Sequence, residues 1–409
     1  MTAIPKLLGA DPLFADGIDL TVVLIVIGKT IAVFVLLLLL VLFYIWFLRK
    51  VIADMQNRVG PDNAGPFGIL QALADGIKLF FKEQTIPDSA DRRMFLLAPY
   101  LSLLPAFLAF SIIPIGGVVT IAGHQTYVQL ADPQIGILFL LMMSGIGIYG
   151  VMLAGWSSGS KYPLLGSVRA SAQLLSYEAA LGLAIVAVLI QAGTFSTRGI
   201  VVQQAWTGSW SGGLGSWPLA QWFLWPTLIA FFIFLVAAVA ETNHPPFDLV
   251  EAEQELVGGF HTEYSGIRFA IFFLAEFMNL VTMSAIAVTL FLGGPAGPSL
   301  GFVAANGWIN AWVMPIFWFL AKLLVLLFGT VWIRASLPRL RYDQLMDIGW
   351  KYLIEVAFLF AMVSGVFVIA RQEDWPVWVY FAAPVGAVAI YAVLYLCIPR
   401  RDEITEDIR

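Results

Sequence analysis

Apolar residues run along this chain in long unbroken blocks, unlike the alternation of a half-buried strand or the narrow stripe of a soluble helix. A helix needs about 20 such residues to cross a bilayer core. Scanning with that length gives nine segments, at about 20–48, 94–115, 135–157, 174–192, 222–241, 266–292, 308–333, 349–370 and 375–398. The first is longer than a signal-peptide core and lacks a small-residue cleavage site, so it is expected to stay as a helix. Between the first two blocks the pattern changes. Ile69, Leu70, Leu73, Ile77, Phe80 and Phe81 recur at helical spacing, opposite Gln71, Asp75, Lys78 and Lys82. This predicts an amphipathic helix lying in the membrane surface or on a partner, or else packed on the chain's own loops. Ahead of it, the Gly- and Pro-rich run from Arg58 to Gly68 reads as a constrained turn region.

Composition removes whole classes of function. Of 409 residues, 60% are hydrophobic and 12% charged, against about 25% charged in a soluble domain. A water-soluble globule is excluded, and nucleic-acid binding with it. The single cysteine, Cys397, forms no internal disulfide and supplies no ligand set for an iron–sulfur cluster or structural zinc within the chain. No P-loop or dinucleotide fingerprint occurs. His124, His244 and His261 all fall in predicted loops, so no intramembrane histidine pair is available for haem and no metal site is expected.

The net charge of −5 matters less than where the cations sit. Of the Lys and Arg residues outside the spans, only Lys6, Arg198 and Arg371 fall in the N-terminal segment or the even-numbered loops. The others occupy the odd-numbered loops and the C-terminal tail, which places the N-terminus outside and the C-terminus in the cytoplasm. The expected fold is an all-α polytopic membrane protein of about nine transmembrane helices plus an amphipathic surface helix. Trp206, Trp210, Trp217, Trp222 and Trp225, on the outer side, read as an interfacial aromatic belt.

An ionisable side chain in hydrocarbon costs on the order of 3 kcal/mol, so Glu178, Glu241, Glu276 and Lys322 are the informative residues. The predicted orientation puts all three carboxylates in the cytoplasmic half of the membrane, converging on a polar cavity, with Lys322 as their opposite charge. They read as a proton relay; the alternative is a buried ion pair, or a helix-end glutamate reaching headgroups. Lys29 reads as structural, snorkelling to the outer surface. The densest polar stretch, Glu241 to Gly266, holds Asp248, Glu251, Glu253, Glu255 and Glu263 with no Lys or Arg before Arg268. Apolar residues interrupt it and Pro245, Pro246, Gly258 and Gly259 pin it, so it reads as a docked loop with a binding or gating role rather than a solvated acidic face.

Four blocks carry a resemblance: GPFGILQALADGIKLFFKE (Gly65–Glu83), SKYPLLGSVRASAQLLSYE (Ser160–Glu178), the acidic loop through AEFMN (Ala275–Asn279), and RASLPRLRYDQLMDIGWK (Arg334–Lys351). In family order and across most of the chain, they resemble the H-type membrane subunits of bacterial proton-pumping NADH:quinone oxidoreductase, respiratory complex I, a family that includes mitochondrial subunit 1. The resemblance implies an eight-helix core over 1–370, with 371–409 as an additional ninth helix and tail. It implies a bacterial cytoplasmic membrane location and a place at the junction of the peripheral redox arm and the membrane arm. The partners would be the quinone-site subunits of that arm and the small and antiporter-like membrane subunits. The chain would hold no cofactor alone; quinone would be the substrate, with flavin and iron–sulfur clusters in partners.

By the same resemblance, Glu178, Glu241 and Glu276 match the family's intramembrane glutamates. Asp248, Glu251, Glu253 and Glu255 match its acidic loop beneath the quinone chamber. Arg49, Arg58, Asp75, Lys161, Arg169, His244, Arg334, Arg339 and Arg341 fall on the tunnel and coupling loops. Departures from the family pattern are Leu48, Asp54, Asp62-Asn63, His244 for Arg, Val250 and Glu355. These read either as an altered quinone chamber or docking partner, in which His244 would make the chamber more pH-sensitive because imidazole titrates near neutrality, or equally as neutral drift. Two alternatives stand beside this reading: the equivalent subunit of a ferredoxin- or deazaflavin-fed quinone reductase, and a stand-alone ion transporter using the same carboxylates.

Overall fold

A computed structural model describes residues 11–14, 17–204, 221–250, 253–297 and 307–376, with scattered positions between 378 and 389. In chain order the elements are α1 (Leu20–Met55), α2 (Gln71–Phe81), α3 (Arg92–Phe110), β1 (Val118–Ile121), β2 (His124–Tyr127), α4 (Gly136–Ser157), α5 (Lys161–Ala192) and α6 (Thr197–Gln204). They continue as α7 (Leu228–Glu241), α8 (Glu253–Leu256), α9 (Gly266–Phe291), α10 (Gly307–Ser336), α11 (Tyr342–Asp347) and α12 (Ile354–Gln372). A π-helical turn, Ile348–Leu353, joins the last two into one rod. Among the described residues seven helices are long and apolar enough to cross a membrane, and α7 is a shorter apolar helix. The chain is an all-α polytopic membrane protein. The ninth expected segment, 375–398, lies largely outside the described residues, as do Trp206, Trp210, Trp217 and Lys6.

Three elements depart from the hydropathy pattern, each for a local reason. α5 begins at Lys161, well before residue 174, so Lys161 and Arg169 stand on a helix rather than in a loop. Its polar first half stays helical because hydroxyls fold back onto preceding carbonyls: Ser167 Oγ to Leu164 O at 2.9 Å, Ser171 Oγ to Ser167 O at 2.8 Å and Ser176 Oγ to Ala172 O at 2.6 Å. α7 starts at Leu228 rather than 222, because Pro226 disfavours helical geometry at Trp225. Its 14 residues reach only about 21 Å at 1.5 Å per residue, short of the roughly 30 Å hydrocarbon core. β1 and β2, which the apolar pattern does not predict, pair antiparallel with Ile121 opposite His124. The two-residue turn between them has Ala122 at φ 49 and Gly123 at φ 86, the left-handed pair that a tight hairpin needs.

α9 is the axis of the bundle. Every residue from Leu280 to Phe291 is buried, so the helix is wrapped on all sides. Outer helices show the opposite: Leu24, Ile27, Ile31 and Leu39 of α1 and Val325 and Trp332 of α10 are exposed apolar side chains, suited to lipid. Close helix approach depends on missing side chains. A Cβ on Gly166 of α5 would stand 2.8 Å from the backbone of Gly259 and Phe260, so that glycine lets the loop before α9 lie directly on α5.

Helix ends cluster at two poles. At one, Asp91 N donates to Ser157 O, Thr85 N to Ser265 Oγ and Leu340 N to Pro246 O, joining the ends of α3, α4, α7, α9 and α10. At the other, Ile137 N donates to Phe195 O and Leu224 N to Phe291 O. α2 is docked by its polar face: Arg49 of α1 reaches Asp75 at 2.7 Å, while Ile77, Phe80 and Phe81 are exposed. Of the alternatives for this helix, its apolar face is therefore left for the membrane surface or a partner rather than buried on the chain's own loops. Partial burial raises the Asp75 pKa, but the hydrogen bond and charge of Arg49 outweigh that and hold it below the ordinary carboxylate value.

That pair is present above the ordinary carboxylate pKa and is lost as pH falls through the depressed one. Both side chains are about a third exposed, so its worth is below about 1 kcal/mol. Asp75→Asn is expected to raise hydrogen exchange of the α2 amides severalfold at neutral pH while leaving the bundle's exchange unchanged.

Candidate functional site

A polar cavity of about 60 Å³ opens inside the bundle, lined by Ser102 of α3, Ser144 and Gly147 of α4, Leu174 of α5, Glu241, Thr242 and Asn243 at the end of α7, and Ala275, Glu276 and Asn279 of α9. A smaller one of about 20 Å³ shares Ser102, Ser144, Gly147 and Asn279 with it and adds Thr282. Serine, asparagine and threonine on helices otherwise built of Leu, Ile, Phe and Ala thus fall on one internal line.

Two of the three glutamates, Glu241 and Glu276, line this cavity, and Glu178 lies nearby without lining it. Glu241, 8% exposed, accepts a short hydrogen bond from Ser144 Oγ through Oε1, and its Oε2 is buried with no hydrogen-bond partner. Glu178 lies beside the next residue of α4: a Cβ on Gly145 would stand 3.6 Å from its Oε1. It is close enough to Glu241 for the two charges to repel. Glu276 faces the same cavity and is joined to His244 Nδ1 at 3.0 Å. Three helices supply the carboxylates, and a hydroxyl of a fourth stands between two of them.

Lys322 is not their counter-charge. Its Nζ donates to the carbonyls of Leu292, Gly294 and Ala296 at 2.7, 2.9 and 2.6 Å and lies 4.7 Å from the Trp222 ring. Leu292 is 16 residues beyond Glu276, roughly 24 Å along the helix. The ammonium instead closes the C-terminus of α9, where carbonyls lack intrahelical donors and the dipole is negative. The nearby cation is Arg334, half-buried on α10, near enough to act electrostatically on both Glu276 and His244; Asp248 is also near and adds a like charge to Glu276. Lys29 does not snorkel freely either; it pairs with Asp11 at 3.1 Å.

His244 sits outside the spanning helices, 3% exposed, its ring 5.2 Å from Phe277. Burial, reinforced by Arg334 and partly offset by Asp248, pushes its pKa down to about 3. Enclosure of the imidazole thus acts against the titration near neutrality that its residue type suggests. A neutral ring donating Nδ1–H to the Glu276 carboxylate fits the geometry.

Other predicted residues distribute around this centre. Arg169 pairs with Glu255 at 2.9 Å and lies over Tyr342 at 5.8 Å, so the acidic loop is tied to α5 and α11. Arg49 and Asp75 form the α1–α2 link. Arg58, Lys161, Arg339 and Arg341 are exposed and do not join the cavity. Glu251 lies outside the described residues; Glu253 opens α8, and its side chain is outside them.

Two contributors escaped the search for charges. Gln173 Nε2 donates to Ala240 O at 2.8 Å, Asn243 Oδ1 at 3.3 Å and Phe247 O at 3.0 Å, clamping the turn that carries Glu241 and His244. Tyr44, buried on α1, packs on Phe277 and bonds Thr330 at 2.9 Å beside Glu276 and Arg334. Gln173 had a signal, being an amide in a matched block of an otherwise apolar helix; Tyr44 is one aromatic among many.

A family model described as NADH dehydrogenase matches residues 28–365. A protein of Frankia alni, named as the H-type subunit of NADH-quinone oxidoreductase, is 51% identical over 369 residues, covering 90% of this chain and 78% of its own. A second, from Frankia casuarinae and with the same name, is 49% identical over 404 residues, covering 96% and 85%.

Two outcomes follow from the geometry. Gln173→Leu keeps the volume but removes the two hydrogen bonds to Ala240 O and Phe247 O, carbonyls that keep backbone donors in Asn243 N and Leu249 N, and should cost about 1–3 kcal/mol, read as a lowered midpoint in thermal unfolding. His244 binds its proton less readily folded than unfolded. Its contribution to stability is complete above its ordinary pKa of 6.5 and is lost as pH falls towards 3. His244→Asn should therefore leave the pH profile of activity near neutrality unshifted; a displaced limb there would show that the ring titrates.

Proposed function

The chain belongs to the NADH dehydrogenase family as a membrane subunit of NADH-quinone oxidoreductase, and on that premise we propose that its carboxylate cavity couples quinone chemistry to proton movement. The carrying observation is Glu241: a buried carboxylate with one oxygen held by Ser144 and the other unpartnered, on a cavity shared with Glu276.

Partner subunits supply the electrons. When quinone takes up two electrons from those subunits beside the loop from His244 to Glu255, negative charge develops next to Asp248, His244 and Arg334 until two protons drawn from the aqueous side neutralise it as quinol. His244 hands that change to Glu276 through its Nδ1–H bond. Glu276 exchanges a proton across the Asn279- and Ser102-lined cavity with Glu241, and Ser144 and Glu178 carry it onward. Low dielectric makes each carboxylate's protonation sensitive to its neighbours' charge. The exposed face of α2 borders the quinone entrance in the bilayer. Exposed Lys161, Arg339 and Arg341 meet the peripheral arm at the cytoplasmic side, and residues 371–409 form an addition to the core. The location is the bacterial cytoplasmic membrane, with the N-terminus outside.

The test uses the purified complex in proteoliposomes, with NADH oxidation and proton translocation measured together. Glu241→Gln and Glu178→Gln should assemble normally and lose at least tenfold in proton translocation. Normal pumping in either variant would refute the relay; loss of assembly in both, with pumping normal in Ser144→Ala, would reduce the cluster to packing.

A further inference from the structure

Immediately before Glu178 on α5 stand two side chains that the relay does not use. Ser176 and Tyr177 both reach the rod made by α11, the π-helical turn and α12. Tyr177 is fully buried, and its Oη donates to Leu345 O of α11 at 2.8 Å. Its ring lies against Gly349, where a Cβ would stand 3.6 Å from it, and 5.8 Å from the ring of Phe247 in the acidic loop. Ser176 Oγ accepts from Trp350 Nε1 at 3.0 Å.

Neither bond is needed to satisfy a stranded group. Leu345 O already accepts from Ile348 N, and Ser176 Oγ already donates to Ala172 O at 2.6 Å. Phenylalanine at 177 would fill the same space without carrying a polar group into the interior, and the exposed indole of Trp350 has other partners within reach outside the bundle. What the two bonds supply is a fixed geometry between α5 and the rod. The π-helical turn agrees with this, because such turns are rare interruptions of an α-helix. Here it falls between the gripped positions, with Leu345 before it and Trp350 inside it. Closing it to regular α geometry would rotate Trp350 relative to Leu345 and break their joint alignment with Ser176 and Tyr177.

The directions taken by α5 side chains carry this to the carboxylates. Gln173 holds the turn after α7, Ser176 and Tyr177 hold the rod, and Glu178 faces α4 beside Gly145. Successive residues of a helix point about 100° apart, so a rotation of α5 that slackens its grip on the rod carries Glu178 along α4 and away from its place beside Glu241. At the other end of the linkage, α11 lies at the surface with Leu345 as its buried residue and Arg341 exposed at its start.

Resting on the relay proposed above, we infer that Tyr177 is a positioning residue for Glu178: with the Trp350–Ser176 bond, its hydroxyl locks α5 against the rod and fixes Glu178 relative to Glu241. A displacement of α11 reaches the relay through this lock.

The test compares Tyr177→Phe, Glu178→Gln and the double variant in the purified complex in proteoliposomes, measuring thermal midpoint, quinone KM and NADH-driven proton translocation. Tyr177→Phe should lower translocation at least threefold with the thermal midpoint and quinone KM unchanged. In the double variant the loss should equal that of Glu178→Gln alone, because Tyr177 acts only through Glu178. If Tyr177→Phe does not assemble, Trp350→Phe, which breaks the neighbouring bond to Ser176, carries the same comparison. Unaltered translocation, a loss accompanied by a lowered midpoint or a raised quinone KM, or losses that multiply in the double variant would overturn the inference and leave the relay standing. Normal translocation in Glu178→Gln would overturn the relay, and this inference with it.

Discussion

No water waits inside a bilayer to satisfy a stranded polar group, and the arrangement of this protein follows from that constraint. Among the described residues, several buried polar side chains are committed to backbone. Lys322 is committed: three carbonyls beyond α9 consume its three N–H donors. Gln173 is committed to the turn after α7. Glu241 is engaged by half: one oxygen is held by Ser144 and the other is buried without a hydrogen-bond partner.

The fold was legible to the extent that hydropathy dictates it. Long apolar runs located α1, α4, α9 and α10 to within a few residues or at one end, because nothing else in a membrane accommodates them. Hydropathy misjudged the first half of α5, where Ser167, Ser171 and Ser176 look like loop yet bond to their own helix. It also missed the β1–β2 hairpin, which is specified by a turn and not by apolarity. The site was legible as residue types and not as partners. The cost of burying charge singled out Glu178, Glu241, Glu276 and Lys322 alike, but only the tertiary path of α10 separates Lys322 from the other three.

His244 shows why a substitution read from sequence alone misleads. A histidine among acids invites a pH switch, and enclosure cancels it: the ring touches Phe277, stands near Arg334 and has little exposure. What it offers instead is a fixed donor. Arg334, on another helix, keeps a permanent cation near the same two groups. The loop therefore brings to Glu276 an enclosed imidazole at hydrogen-bonding distance, while the permanent charge comes from Arg334.

That division determines how the loop and the cavity can communicate. Glu241 ends α7, and His244 follows after a turn whose carbonyls at Ala240 and Phe247 are held by one amide on α5. Glu276 meets His244 from α9, and Glu178 sits five residues after Gln173 on the same helix that clamps the turn. A displacement of the acidic loop, itself tied to α5 by Arg169 and Glu255, cannot leave the separation of Glu241 and Glu276 unchanged unless the clamp yields. Because the interaction between two carboxylates depends on the distance between them, such a movement changes the electrostatic coupling of Glu241 and Glu276. The mechanical joint is thus an uncharged glutamine, and the charged residues are what it moves.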